Sequence, residues 1–365
     1  MTASPQTRLL GSLKLATIDS DATESDTADS APQRRGSDYS ELSRQVRAAG
    51  LLKRRPGRYA VRIGLNAALL AVGGAAFVLL GDSWWQLLVA AYLGFVFTQL
   101  GFLGHDAGHT QIFGSRRAND LLGLVLANVV TGLSYDWWIG KHNRHHSNPN
   151  HEERDPDLGV GALIWTPEQA RARRGVGRFV AGRQAYLFFP MLTLEAANLH
   201  FASVQAVLKR SGKGRAVEAV MLLMHFVGYV AAVFLVMSPL HAVAFIAVHQ
   251  AVFGLYMGCA FAPNHKGMPI LSEQDNLDYL RKQVLTARNV RGGWLTEFVL
   301  GGLNYQIEHH LFPSMPSHSL RRCQPLVKAF CTKLDLPYCE TGAFRSYGEV
   351  IKYLHAVGAP LRSTG

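Results

Sequence analysis

Charge is scarce in this chain. Asp, Glu, Lys and Arg make up 17% of its 365 residues, against 48% apolar ones. That balance leaves room for a large buried core or for passage through a membrane. Cysteine is scarcer still: Cys259, Cys323, Cys331 and Cys339 form no CxxC pair. This excludes a zinc ribbon and a disulfide framework, and suits thiols in a reducing compartment. No HExxH is present, which excludes a zincin hydrolase, and no pair of Glu-x-x-His motifs, which excludes a ferritin-like carboxylate bundle. No apolar run follows a basic start, so no secretory leader is expected. Residues 1–40, with "DSDATESDTADSAPQRRGSD", lack hydrophobic periodicity and are expected to be a disordered tail. The expected organisation is a membrane domain over 41–340 and a cytoplasmic C-terminal tail over 341–365.

Long apolar runs are what the chain does have. Four of them, at about 59–80, 84–104, 216–237 and 241–262, are each near 20 residues, enough as helices to cover about 30 Å of hydrocarbon. Only Gly81-Asp82-Ser83 separates the first two, and only Ser238-Pro239-Leu240 the last two, so the runs are expected to pair as two helical hairpins. Neither turn carries Lys or Arg, whereas residues 1–58 hold 10, 105–215 hold 14 and 263–365 hold 12. That asymmetry puts both termini and the long segments in the cytoplasm. The net charge of +11 then lies beside the membrane. It favours anionic lipid or an acyl carrier as partner over nucleic acid. The shorter runs Leu121–Leu133 and Ala185–Leu194 are expected to lie on the membrane surface.

Histidine is clustered. "HDAGH" puts His105 and His109 four apart directly after the second run. "GKHNRHHSNPN" holds His142, His145 and His146, whose offsets of three and four place the rings on one helical face. "QIEHH" repeats that spacing at Gln306, His309 and His310, and His265 follows the fourth run directly. All of them fall on the cytoplasmic side of the derived topology. Imidazole suits iron, zinc, copper and nickel, and eight rings with one amide are enough for two metals. Two irons are the natural choice for splitting dioxygen. Asp106, Asp155, Asp157 and Glu308 are expected to accept hydrogen bonds from the outer ring nitrogens. His200, His225, His241, His249 and His355 are read as structural, and His151 and His318 as non-ligands. Trp137 and Trp138 suit either a tunnel lining or an interfacial belt, the basic run at 171–178 a membrane-facing surface, and Gly301-Gly302 a tight helix approach.

These three boxes, HDAGH at 105–109, HNRHH at 142–146 and QIEHH at 306–310, resemble those of the integral-membrane fatty acid desaturases over roughly residues 60–340. "WWIGKHNRHHSNPNHEERDPD" and "NYQIEHHLFPSMPSHSL" are similar to the front-end desaturases, in which glutamine replaces the first histidine of the third box. The resemblance implies an all-α membrane protein of four transmembrane helices in two hairpins, with a cytoplasmic helical cap holding a histidine-rich di-iron site. Its implied iron ligands are His105, His109, His142, His145, His146, His309 and His310. His265 matches the extra ligand after the fourth crossing. An asparagine that the stearoyl enzymes keep four residues earlier would fall at Phe261, with Asn264 or Gln306 as substitutes. The implied reaction is O2-dependent desaturation of a fatty acyl chain, on CoA or a lipid. No fused haem domain is expected, so electrons are to come from an external ferredoxin, flavodoxin or cytochrome b5 type carrier and its reductase. The expected location is the cell inner membrane. A lipid, carotenoid or sphingoid hydroxylase or ketolase with the same site is the nearest rival. A non-catalytic receptor or metal-ion carrier stands further off, since the runs hold only scattered polar residues such as Asn66, Gln99, His225, His249 and Gln250.

Overall fold

Helices begin where capping and hydrophobic period begin together. In the computed structural model, which describes residues 37–362, Ser37 caps α1 (Asp38–Ala48) by accepting from the Ser40 N–H at 3.3 Å. Leu42 and Val46, four apart, are its buried stripe. Of the segment expected to be disordered, residues 1–36 therefore lie outside the described residues, and residues 38–40 already belong to a helix. Pro56, with its fixed φ, starts α2 (Pro56–Leu80), and Gly81 at φ 54° ends it. The next helix, α3, covers Gln86–Gly108. Helix α4 (Arg116–Leu124) runs into a π-helical turn, Val125–Thr131, and bends by 113° into α5 (Tyr135–Ser147). Helices α6 (Gln184–Leu192) and α7 (Glu195–Lys209) meet at 72°. The last two long apolar helices are α8 (Lys213–Val236) and α9 (Pro239–His265).

The fold is thus mostly helical, with four helices among the described residues long and apolar enough to cross a membrane, or six if each bent pair is one span. Two of the four are outer helices. Val61 and Leu79 on α2 are 73% and 84% exposed, and Leu235 on α8 is 85% exposed. Such an apolar surface belongs in lipid. The inner pair, α3 and α9, packs closely, and packing rather than hydrophobic driving force must hold helices together in that medium. A Cβ on Gly94 of α3 would lie 2.9 Å from the His249 carbonyl oxygen of α9, and, where α9 meets the end of α6, one on Gly254 would lie 2.7 Å from Leu192 O. Only hydrogen at those positions lets the backbones meet.

Helix α3 runs four residues beyond its apolar run, and α9 three, so the spans end on histidines. Helix α9 continues through Pro263, which lacks the N–H that Cys259 O requires. The Tyr347 hydroxyl donates to that carbonyl at 2.7 Å instead. Tyr347 sits on α13 (Ala343–Gly358), within the segment expected to be a tail. That segment instead packs as a helix, burying Val350, Leu354 and Val357 at amphipathic spacing.

Before it come α10 (Tyr279–Leu285), β1 (Asn289–Arg291), α11 (Gln306–Leu311), α12 (Ser317–Lys333) and β2 (Glu340–Gly342). The two strands pair in parallel, Asn289 opposite Glu340. A core of Leu42, Val46, Leu280, Leu311, Phe330 and their neighbours binds α1, α10, α11 and α12 together. The chain around Gly301 is tight as expected: its φ is +61°, and a Cβ there would fall 2.4 Å from the Phe102 ring of α3.

Candidate metal centre

Each box histidine reaches the centre because its helix is fixed by polar groups at one end. On α3, the buried Asp106 carboxylate accepts from Arg62 Nη1 at 2.7 Å, Tyr59 Oη at 3.0 Å and Ser317 Oγ at 2.9 Å. This joins α2, α3 and α12 directly beside His105. On α5, the Ser134 hydroxyl caps the first turn, and the buried Glu218 of α8 accepts from Ser134 Oγ at 3.0 Å and from the Asp136 N–H at 3.1 Å. One turn further on, the Trp138 ring stacks on His142, centroids 4.6 Å apart.

The eight histidines meet in two groups. His105, His109, His142, His146 and His309 form one, and His145, His265 and His310 the other, with potential ligand atoms within 4.8 Å of one another in each. In the group of three, the outer nitrogens have acceptors. His145 Nδ1 lies 3.0 Å from Asp155 Oδ2, His265 Nδ1 3.0 Å from Thr286 O, and His310 Nδ1 2.9 Å from Gln283 Oε1. Only an N–H satisfies those oxygens, so each Nε2 of a neutral ring keeps its lone pair. Those lone pairs converge: His265 Nε2 is 3.0 Å from His310 Nε2 and 3.4 Å from His145 Nε2. Gln306 Nε2 stands 2.9 Å from the same His265 atom, and Asn264 Nδ2 donates to Gln306 Oε1 at 3.2 Å.

The group of five is bound differently. His105 Nδ1 is 3.3 Å from Asp106 Oδ1, and His142 Nε2 lies 2.9 Å from His109 Nε2 and 3.1 Å from His146 Nε2. His105 Nε2, His146 Nδ1 and both ring nitrogens of His309 are buried without a hydrogen-bond partner. Buried orphan nitrogens gathered in one cluster are costly unless a cation accepts their lone pairs. The donor set therefore fits metal ions in both groups.

Electrostatics agree for most rings. Burial, then repulsion from neighbouring rings, holds His109, His142, His146, His309 and His310 well below the ordinary histidine value. They stay neutral, the state a metal needs. His145 departs from them. Burial lowers it too, but the hydrogen bond to Asp155 and the charge of Asp157 outweigh that and raise it.

Three of the expected outer acceptors are beside their rings: Asp106, Asp155, and Asp157 at 3.5 Å from His145 Nδ1. Glu308 is not. It accepts from Asn289 Nδ2 at 2.7 Å and Tyr338 Oη at 2.7 Å, because residues 306, 309 and 310 share one face of α11 and 308 lies off it. Burial pushes its carboxyl up to about 7 against those two hydrogen bonds. Phe261 packs among apolar side chains, and Asn264 sits one step from the group of three, through Gln306. His200 and His225 lie 2.9 and 3.0 Å from the carbonyls of Thr131 and Val129, and His249 lies 2.9 Å from Tyr229 Oη. Sequence reasoning missed Gln283, Asn150 and Glu218. Gln283 Nε2 donates to His146 O while its oxygen faces His310, and the Asn150 N–H donates to Asp155. Nothing in their local pattern marks them.

A helical protein with bilayer-length apolar helices and clustered imidazoles at the ends of its inner spans is compatible with a metal centre at a membrane. The profile of the fatty acid desaturase family matches residues 82–342, and the chain belongs to that family. Among curated relatives, the acyl-lipid (9-3)-desaturase of Physcomitrium patens is 29% identical over 331 residues, 88% of this chain and 62% of the relative. The Delta(8)-fatty-acid desaturase of Euglena gracilis is 30% identical, covering 82% of this chain and 74% of the relative. The Delta(6)-fatty-acid desaturase fat-3 of Caenorhabditis elegans is 29% identical, covering 74% and 64%. The chain thus spans less than two thirds of the moss and nematode proteins. The front-end character read from the third box agrees with these names, and the two histidine groups are compatible with the two irons this family uses.

Proposed function

We propose that this protein desaturates a fatty acyl chain, removing one hydrogen from each of two neighbouring methylenes. Dioxygen takes four electrons, two released as the two C–H bonds of the substrate break and two from a redox protein. Four hydrogens, two from the substrate and two as protons from water, complete two molecules of water. The proposed ligands are His105, His109, His142, His146 and His309 for one iron, and His145, His265 and His310 with Gln306 for the other. Two irons held there would supply the reduction of O2 and the abstraction of hydrogen. The protein's part is to keep the rings neutral, orient them from outside through Asp106, Asp155, Gln283 and Thr286, and exclude water.

The carrying observation is the convergence of three Nε2 lone pairs, each oriented by a fixed acceptor, from residues 145, 265 and 310. The names of the relatives support an acyl substrate attacked near its carboxyl end. The pairing of α2 with α3 and α8 with α9 as membrane hairpins is part of the same reading. So is a cytoplasmic cap carrying the site, with both termini on the cytoplasmic side of the inner membrane. It is supported by short turns without Lys or Arg and by the basic segments flanking them. A ferredoxin, flavodoxin or cytochrome b5 type carrier with its reductase would deliver the electrons.

Expression in a host of simple lipid composition, with double bonds mapped by mass spectrometry, tests this. New double bonds are expected, and His145→Ala should abolish them. Persistence of the product in that variant rejects the site, and an added oxygen without a double bond favours the hydroxylase reading.

A further inference from the structure

At the opposite end of α5 from its histidines, a cleft of 470 Å³ opens between α5, α7 and α8, walled by Asp136, Trp137, Ala206, Arg210 and Glu218. Its charges are mixed. Arg210 Nη1 pairs with Asp136 Oδ2 and lies 3.3 Å from Glu218 Oε2. Glu218 is buried and engaged by Asn128, Ser134 and the Asp136 N–H, whereas Arg210 and Asp136 are 39% and 43% exposed and face the opening. Trp137 adds an aromatic wall, and its neighbour Trp138 stacks on His142. Along α5, Asp136 stands six residues from His142, about 9 Å of helix rise.

We infer that this cleft binds the zwitterionic headgroup of a phospholipid whose acyl chain is the substrate. The phosphate meets Arg210, and the ammonium lies between the Asp136 carboxylate and the Trp137 face. The inference rests on the desaturase reading and names its acyl carrier. A zwitterion replaces one ion pair, Arg210 with Asp136, by two, and leaves Glu218 the hydrogen bonds it accepts from Asn128, Ser134 and the Asp136 N–H. A multiply anionic carrier such as CoA would meet two carboxylates and a single guanidinium. That rise of about 9 Å is a length that the glycerol ester and the first methylenes of an acyl chain would cover. Anchoring the headgroup there makes the site count carbons from the carboxyl end.

Purified full-length protein, metal-free and iron-loaded, is titrated with dioctanoyl phosphatidylethanolamine, dioctanoyl phosphatidylglycerol and octanoyl-CoA, and binding is read by native mass spectrometry. The phosphatidylethanolamine is expected to bind at least about tenfold more tightly than the other two. Arg210→Gln and Ala206→Trp are each expected to lower that affinity about tenfold, with iron content unchanged. Ala206→Trp fills the cleft without removing a charge, so it carries the test if Arg210→Gln misfolds. Its own folding is checked by its melting temperature. Equal binding of all three ligands, tighter binding of octanoyl-CoA, or unchanged affinity in folded variants overturns the inference. Because binding is measured without turnover, failure here is separate from failure of the desaturase reading, which absence of double bonds would reveal.

Discussion

The two histidine groups are built on different principles. The group of three is oriented from outside: every outer nitrogen has an oxygen partner, from Asp155, Thr286 or Gln283. The group of five is oriented mainly by crowding. Among the described residues, His105 alone of the five has a carboxylate beside it, while His146 and His309 leave ring nitrogens without partners. A site with few rings needs each one aimed, whereas a site with five tolerates looser aiming because its neighbours confine each ring. The smaller group should therefore be more sensitive to the loss of a single part.

The largest effect expected is from His265→Ala, which leaves two rings and Gln306. Bound iron should fall from two per chain to one, and double-bond formation by more than about 100-fold, beyond the range for outer partners. His146→Ala leaves four rings and should retain more iron. Equal iron loss in the two variants, by elemental analysis, would erase the distinction between the groups.

Next in size is Asp155→Asn. It should weaken iron binding at the smaller group about 10–100-fold in chelator competition, with Gln283→Ala toward the lower end of that range. Gly301→Ala attacks the larger group instead, by forcing a left-handed residue and a methyl group against Phe102 one turn from His105. It should cost about 2–4 kcal/mol of stability, read as a lowered melting temperature. Wild-type stability in this variant would mean that the loop and α3 can separate cheaply.

The pH response should also divide the groups. His145 is raised, so in metal-free protein its protonated form adds stability that is lost as pH rises through the folded value. Iron competes for the neutral ring, so on acidification the group of three should release its iron first. The depressed rings of the other group should hold theirs to lower pH. Simultaneous release of both irons would count against this. The smallest effect is expected from Trp138→Leu, about 0.5–1.5 kcal/mol from the lost stack on His142, confined to the larger group.

Much of this was legible in residue order. The four apolar runs became α2, α3, α8 and α9 with boundaries moved by a few residues, since hydropathy shows where lipid is tolerated but not where hydrogen bonding continues a helix. The continuation of α9 through Pro263 depends on Tyr347, nearly ninety residues away. Glu308 departs from the expectation because proximity in sequence to His309 says nothing of the face on which a carboxylate lies. Helix α13 falls in the segment expected as a tail, and the amphipathic spacing of Val350, Leu354 and Val357 is the sequence signal for it. Gln283 could not be found, because only a contact reveals it.

Helix period and hydropathy are local properties, so order along the chain sufficed to place the long apolar helices and to put the histidines of each box on a shared face. The division of those rings into five and three is not local, and neither is the choice of nitrogen that turns inward. Both follow from oxygen atoms brought by α10, the Asn150–Asp155 loop and Thr286, which reach the rings only after the helices have packed.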